Sequence, residues 1–143
     1  MYIHIQNCLK FIPAGILAVL LIMPAAQAGE SHTISARSTA YDPMVLKIEP
    51  GDEVKWVNMG GHFNQFEAGL IPEGAETWTT QMGKDVSRTF DVEGVYVYKC
   101  PPHFALGMVG AIIVGEPVNM AEVEENATGM YKRAVAKAKA EIN

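Results

Sequence analysis

Cysteine, histidine and positive charge are all scarce in this chain, and each shortage removes a class of function. Two cysteines, Cys8 and Cys100, cannot build the multi-bridge framework of a small disulfide scaffold. Four histidines leave little room for several metal sites. Lys and Arg number 11 against 16 Asp and Glu, a net charge of −5, so there is no basic footprint for nucleic acid. No Gly-rich phosphate loop and no serine-nucleophile motif occurs, which removes the commonest nucleotide-binding and hydrolase readings. Internal repeats and low-complexity linkers are missing too.

One long apolar run is present, at the start. Lys10 precedes an almost unbroken apolar stretch from Phe11 to Met23, and Ala26-Gln27-Ala28 supplies a small-residue cleavage site. The stretch is shorter than the roughly 20 residues a spanning helix needs, so residues 1–28 read as a secretory signal peptide rather than an anchor. Cleavage after Ala28 leaves Gly29 to Asn143 as one compact domain, with no membrane segment. It removes one of the 11 basic residues and none of the 16 acidic ones, giving a net charge of −6. Cys8 leaves as well, and Cys100 becomes the sole thiol of an exported protein.

The remaining chain is a succession of short strands. Met44 to Ile48, Glu53 to Val57, Val86 to Val92, Gly94 to Cys100 and Val109 to Val114 carry β-branched or aromatic residues. Glu49-Pro-Gly-Asp52 and Glu93-Gly94 provide turns between runs. Strands at this spacing without βαβ alternation predict an antiparallel sandwich. After Gly115-Glu-Pro117 the pattern turns helical. Asn119 with Glu122 reads as a capping box, and Thr128 as the cap of a second helix burying Tyr131, Ala134, Val135 and Ala138. Lys132, Arg133, Lys137 and Lys139 lie on its other face. That face reads either as solvated surface with a favourable dipole arrangement or as a basic docking face.

A lone thiol is an inert core residue, an intermolecular disulfide partner or a metal ligand. Cys100 ends an alternating strand and is followed at once by Pro101-Pro102-His103, with Met108 five residues further on. That loop position favours the ligand reading. His62 lies 38 residues upstream of Cys100. One thiolate, two imidazoles and one thioether make the donor set of a type 1 copper site, His₂Cys in a plane and Met on the axis. Imidazole accepts Cu(II) while thiolate and thioether favour Cu(I). A site tolerable to both changes little on reduction and exchanges electrons quickly. His32 reads as a surface histidine, and Met44, Met59, Met82, Met120 and Met130 as packing or surface residues.

The ligand spacing resembles that of the cupredoxins, and within them the pseudoazurins. Cys-x2-His-x4-Met also fits plastocyanin, so the loop alone does not choose. The choice rests on Ile71-Pro-Glu-Gly-Ala-Glu76, on Tyr41-Asp-Pro43 leading to Glu49-Pro-Gly-Asp52, and on the two C-terminal helices. The resemblance implies a Greek-key β-sandwich of about eight strands over residues 29–143. Copper would sit at one end, held by His62, Cys100, His103 and Met108, with His103 reaching the surface through an apolar patch. It also implies a monomeric periplasmic electron carrier, not an enzyme, whose partners are redox proteins such as nitrite reductase or c-type cytochromes. A copper-delivery protein would instead need open Met/His sites, and a copper oxidase or reductase a second site for substrate.

Three departures from the family pattern stand near the ligands. The residue after the first ligand is usually Asn and here is Phe63; the residue after the cysteine is usually Thr and here is Pro101. Replacing both halves of a polar clamp by apolar side chains can be nearly neutral, whereas losing one strands the other. The Phe63 N–H is left to donate to the Cys100 sulfur. Gly60 stands where the family often has lysine, and Lys99 is retained, so the basic docking ring is thinned.

Overall fold

A computed structural model describes residues 29–143; the leader assigned to residues 1–28, with His4, Cys8 and Lys10, lies outside them. The described residues form nine strands: β1 (Ser31–Arg37), β2 (Ala40–Asp42), β3 (Val45–Ile48), β4 (Asp52–Val57), β5 (Gln65–Phe66), β6 (Trp78–Thr79), β7 (Val86–Phe90), β8 (Gly94–Lys99) and β9 (Val109–Val114). A 3₁₀ turn, Pro101–Leu106, separates β8 from β9, and helices α1 (Met120–Asn126) and α2 (Tyr131–Ile142) close the chain. One sheet has the order β2-β1-β4-β7 and the other β3-β9-β8-β5-β6. This is a two-sheet β-sandwich with C-terminal helices, as the resemblance implied; the sequence reading missed β1 and β2 as well as the two-residue β5 and β6. Pairing is not wholly antiparallel. β1 runs parallel to β4, and β3 parallel to β9, because the chain crosses between sheets after β2 and again after β3. Side-chain alternation reports which face is buried, not the direction of the neighbouring strand.

Alternation is clean where one face meets water. In β4, Asp52, Val54 and Trp56 are buried while Lys55 is exposed. In β8 and β9 nearly every residue is buried, because two cores flank this sheet. Tyr96, Tyr98, Cys100, Met108 and Ile112 face the space between the sheets with Trp56, Phe66 and Phe90. Val95, Val97, Val109, Ala111 and Ile113 face the helices and meet Val123, Tyr131, Ala134, Val135 and Ala138. The buried face of α2 is thus the one its spacing predicts. Tyr98 lies across Gly110, its register partner on β9; a Cβ there would stand 2.5 Å from the ring. The phenol accepts a hydrogen bond from Trp56 Nε1 at 3.1 Å and stacks on Phe66.

The expected capping box is not formed: the Asn119 side chain makes no bond to its helix. Its Oδ1 accepts from the Val95 N–H at 2.6 Å and its Nδ2 donates to the Val95 carbonyl at 3.0 Å. β5 covers only the last two residues of β8, so the strand's earlier backbone groups need other partners. Asn119 acts as a one-residue substitute strand, and the Leu70 carbonyl takes the Val97 N–H. A buried backbone group left unpaired costs about 1–3 kcal/mol. Asn119→Ala strands two, so its urea midpoint should fall substantially with the slope unchanged. A midpoint within error of the parent would show that these bonds carry nothing.

Candidate metal centre

Three of the four sequence-predicted ligands come from one tightly bonded loop. Cys100 leaves β8 in extended conformation, and Pro101 and Pro102 open the 3₁₀ turn, where a missing N–H costs no helical bond. The Cys100 N–H donates to the Met108 carbonyl at 3.0 Å, the His103 N–H to the Cys100 carbonyl at 3.0 Å, and the Met108 N–H to the His103 carbonyl at 3.2 Å. Gly107 ends the turn at φ +84°, and a Cβ there would press within 3.1 Å of the Arg133 guanidinium; only glycine suits both conditions.

His62 arrives from the opposite side on the loop after β4. Its N–H donates to the Met59 carbonyl at 2.9 Å, and its carbonyl accepts from the Gly83 N–H at 2.9 Å. The Met59 N–H in turn donates to the Asp85 carboxylate. Two residues on, the Asn64 N–H donates to Thr80 Oγ1 at 2.9 Å. Both ligand segments are therefore fixed by backbone bonds.

The side chains converge. Cys100 Sγ lies 3.6 Å from His62 Nδ1 and 3.5 Å from His103 Nδ1, and the ring centroids are 4.7 Å apart. One ligand atom from each residue falls within 4.8 Å of the others. Cys100 is fully buried and His62 is 6% exposed, while His103 is only half-buried. Burial first, then the neighbouring His103, holds the His62 imidazole below its ordinary pKa. It is thereby kept neutral, the form that binds metal. Met108 is fully buried in the same cluster as Cys100, and so is Met59; the backbone bonds to Cys100 and His103 belong to Met108.

Several surrounding residues behave differently from their sequence reading. The sulfur's hydrogen-bond partners are the two imidazole nitrogens, and the expected Phe63 N–H bond is not among them. Lys99 is not a free docking charge. Its ammonium sits 3.1 and 3.2 Å from the Glu67 carboxylate oxygens and over the rings of Phe104 and Tyr131, at 5.2 and 5.6 Å. Burial alone would raise the Glu67 carboxyl, but hydrogen bonds from Tyr131 and Lys99 bring it below its usual value. His32 pairs with Asp52 at 2.8 Å, in the other sheet and apart from the cluster. The sequence reading also missed Tyr41 and Asn64. Both are buried, and the Tyr41 hydroxyl donates to Asn64 Oδ1 at 2.7 Å. Burial, then Tyr98 and Cys100, push the Tyr41 phenol far above its ordinary value.

The donor set fits copper: two imidazoles, one of them held neutral by burial, meet on a buried thiol with a buried thioether alongside. The described fold and this cluster define a copper-binding β-sandwich. Comparison with known proteins agrees. The family of copper binding proteins described as plastocyanin/azurin matches residues 29–115. A pseudoazurin of Methylorubrum extorquens is 38% identical over 77 residues, 53% of this chain and 52% of that protein. One from Paracoccus pantotrophus is 27% identical over 136 residues, 90% of this chain and 93% of the other. The solved pseudoazurin of Sinorhizobium meliltoi superimposes with a TM-score of 0.73 at 36% identity, covering 80% of this chain and 97% of that one. The chain belongs to the plastocyanin/azurin family of copper binding proteins and, within it, to the pseudoazurins. Two of the curated relatives are spanned over only a little more than half their length. Copper is this family's metal, and the His62, Cys100 and His103 cluster is its candidate site.

Proposed function

We propose that this chain is a type 1 copper electron carrier of the periplasm, holding its metal through His62, Cys100, His103 and Met108. The observation that carries this reading is the convergence of both Nδ1 atoms on one buried sulfur at 3.5 and 3.6 Å. Family membership and the leader read in residues 1–28 support it, and no helix among the described residues is long and apolar enough to cross a membrane. Copper bound there supplies a one-electron couple between Cu(II) and Cu(I). The protein's part is to hold the donors still. The backbone bonds that close the Cys100–Met108 loop and pin His62 oppose movement when charge changes. Full burial of Cys100 and Met108 argues against a delivery protein, which must surrender its metal.

His103 is the route outward. It is half-buried, and around it Pro102, Ala105 and Leu106 are exposed, Leu106 at 65%. These apolar neighbours permit close approach at little desolvation cost. Charge contributes less than the sequence implies. Lys99 is caged, Lys137 pairs with Glu141, Lys139 with Glu124, and Arg133 reaches the Gly107 carbonyl. The proposed mode is therefore that of a monomer docking by its apolar end to a redox protein such as nitrite reductase or a c-type cytochrome.

Leu106→Lys should slow electron transfer to such a partner about tenfold or more while leaving the visible spectrum unchanged, the effect expected when a charge enters the apolar centre of an interface. Association should weaken only modestly with added salt. Stopped-flow transfer rates decide the matter. If charge reversal at Lys132 and Arg133 slows transfer more than Leu106→Lys does, docking is on α2 instead.

A further inference from the structure

The lysine next to Cys100 has its charge turned away from solvent. The Lys99 side chain is 18% exposed, against 39% for the Glu67 side chain that it meets at 3.1 and 3.2 Å. Over the ammonium lie the rings of Phe104 and Tyr131, whose centroids are 4.8 Å apart. The Tyr131 hydroxyl donates to the same carboxylate and so holds Glu67 against the lysine. Burial would keep the Glu67 carboxyl protonated longer, but these two donors more than offset it, and the group is charged at neutral pH. Four residues from three separate stretches of chain thus close over one cation. A molecule approaching here meets the carboxylate edge before the ammonium.

We propose that Glu67, held in place by Tyr131, is a specificity-determining residue: it masks the Lys99 charge beside the ligand loop, so that this end of the molecule does not select partners by an acidic patch. An unmasked Lys99 would place one positive charge beside the residues that carry the metal. It would draw anionic partners to this end and repel cationic ones. It would also favour Cu(I), the less positive state of the site. Paired with Glu67 at 3.1 Å, it acts at a distance only as a dipole, whose field falls off faster than that of a single charge. Specificity is a difference between partners, and Glu67 removes the charge that would create one. Arg133 adds little, because its guanidinium is turned to the Gly107 carbonyl.

The inference rests on the docking reading above, and its test separates the two. Reduced, copper-loaded protein is oxidised by hexacyanoferrate(III), an anion, and by tris(phenanthroline)cobalt(III), a cation; one electron passes from Cu(I) to the oxidant and no atom is transferred. At about 0.01 M ionic strength charges act across roughly 30 Å. There Glu67→Gln should react about threefold faster with the anion and about threefold slower with the cation, the size expected for one charge acting on a trivalent ion. Its reduction potential, read by voltammetry, should rise. Lys99→Met leaves Glu67 uncompensated and should reverse all three signs, and the double variant should return close to the parent. The control is Glu73→Gln, which makes the same change in net charge beside Asp91 and Glu93, at the far end of β8 from Cys100; it should alter each rate much less. Equal rates in Glu67→Gln and Glu73→Gln overturn the mask. So does a fall in the urea midpoint of the copper-free Glu67→Gln protein with no opposite response to the two oxidants, the result of a merely structural ion pair. If Glu67→Gln does not fold, the signs of Lys99→Met decide. Failure of Leu106→Lys to speed the reaction with hexacyanoferrate(III) overturns instead the docking reading beneath the proposal, and a colourless copper-loaded parent overturns the ligand assignment.

Discussion

Cys100→Ser is expected to abolish the intense visible absorption and to weaken copper binding by more than the roughly 10–100-fold that loss of a mere outer-shell partner costs. The colour of a copper–thiolate site comes from charge transfer out of sulfur, which an alcohol oxygen does not provide at accessible energy. Serine also stays protonated at neutral pH, so the site loses its anionic donor. The fold itself should survive. The sulfur lies at the mouth of the inter-sheet core, where Trp56, Phe66, Phe90, Tyr96 and Tyr98 bury far more apolar surface. The backbone bonds of residue 100 to Met108 and His103 are indifferent to the side chain. Absorption and copper titration of the purified variant measure both losses. A retained blue band would show that the ligand set is misassigned.

Met108→Gln is expected to lower the reduction potential while copper stays bound. Met108 is fully buried beside Cys100 and hydrogen-bonds by backbone to both Cys100 and His103, so its place is set by the loop rather than by any bond to metal. An axial thioether stabilises Cu(I) relative to an oxygen donor, and blue sites are tuned through this position. The replacement has similar length and a harder donor, so it should alter the potential more than the affinity. Protein-film voltammetry reads the change. An unchanged potential would transfer the axial role to Met59, the other buried methionine of the cluster, or leave the site without one.

What the sequence disclosed was whatever acts locally. The ligand loop was legible because Cys100, His103 and Met108 fall within nine residues, and a tight turn can only bring them together. The buried stripe of α2, Tyr131, Ala134, Val135 and Ala138, was legible because helical spacing writes it directly. Asn119 was misread for a physical reason. The amide that caps a helix is equally able to bond a strand, and only the shortness of β5 decides between them. Lys99 looked like a surface charge because its cage comes from Glu67, 32 residues earlier, and from Tyr131 on α2. Tyr41 and Asn64 are 23 residues apart, and a long-range polar pair leaves no periodic trace in either segment. The parallel pairs β1–β4 and β3–β9 were hidden likewise, since period two is the same for either strand direction.

The central claim is that His62, Cys100, His103 and Met108 hold one copper ion as a type 1 site. The most direct measurement is an anaerobic copper titration of the purified protein followed by visible absorption and electron paramagnetic resonance. The account predicts saturation at one copper per chain, an intense visible thiolate-to-copper band, and the narrow copper hyperfine splitting of a covalent thiolate site. A colourless complex with ordinary wide splitting, or saturation above one equivalent, would contradict it.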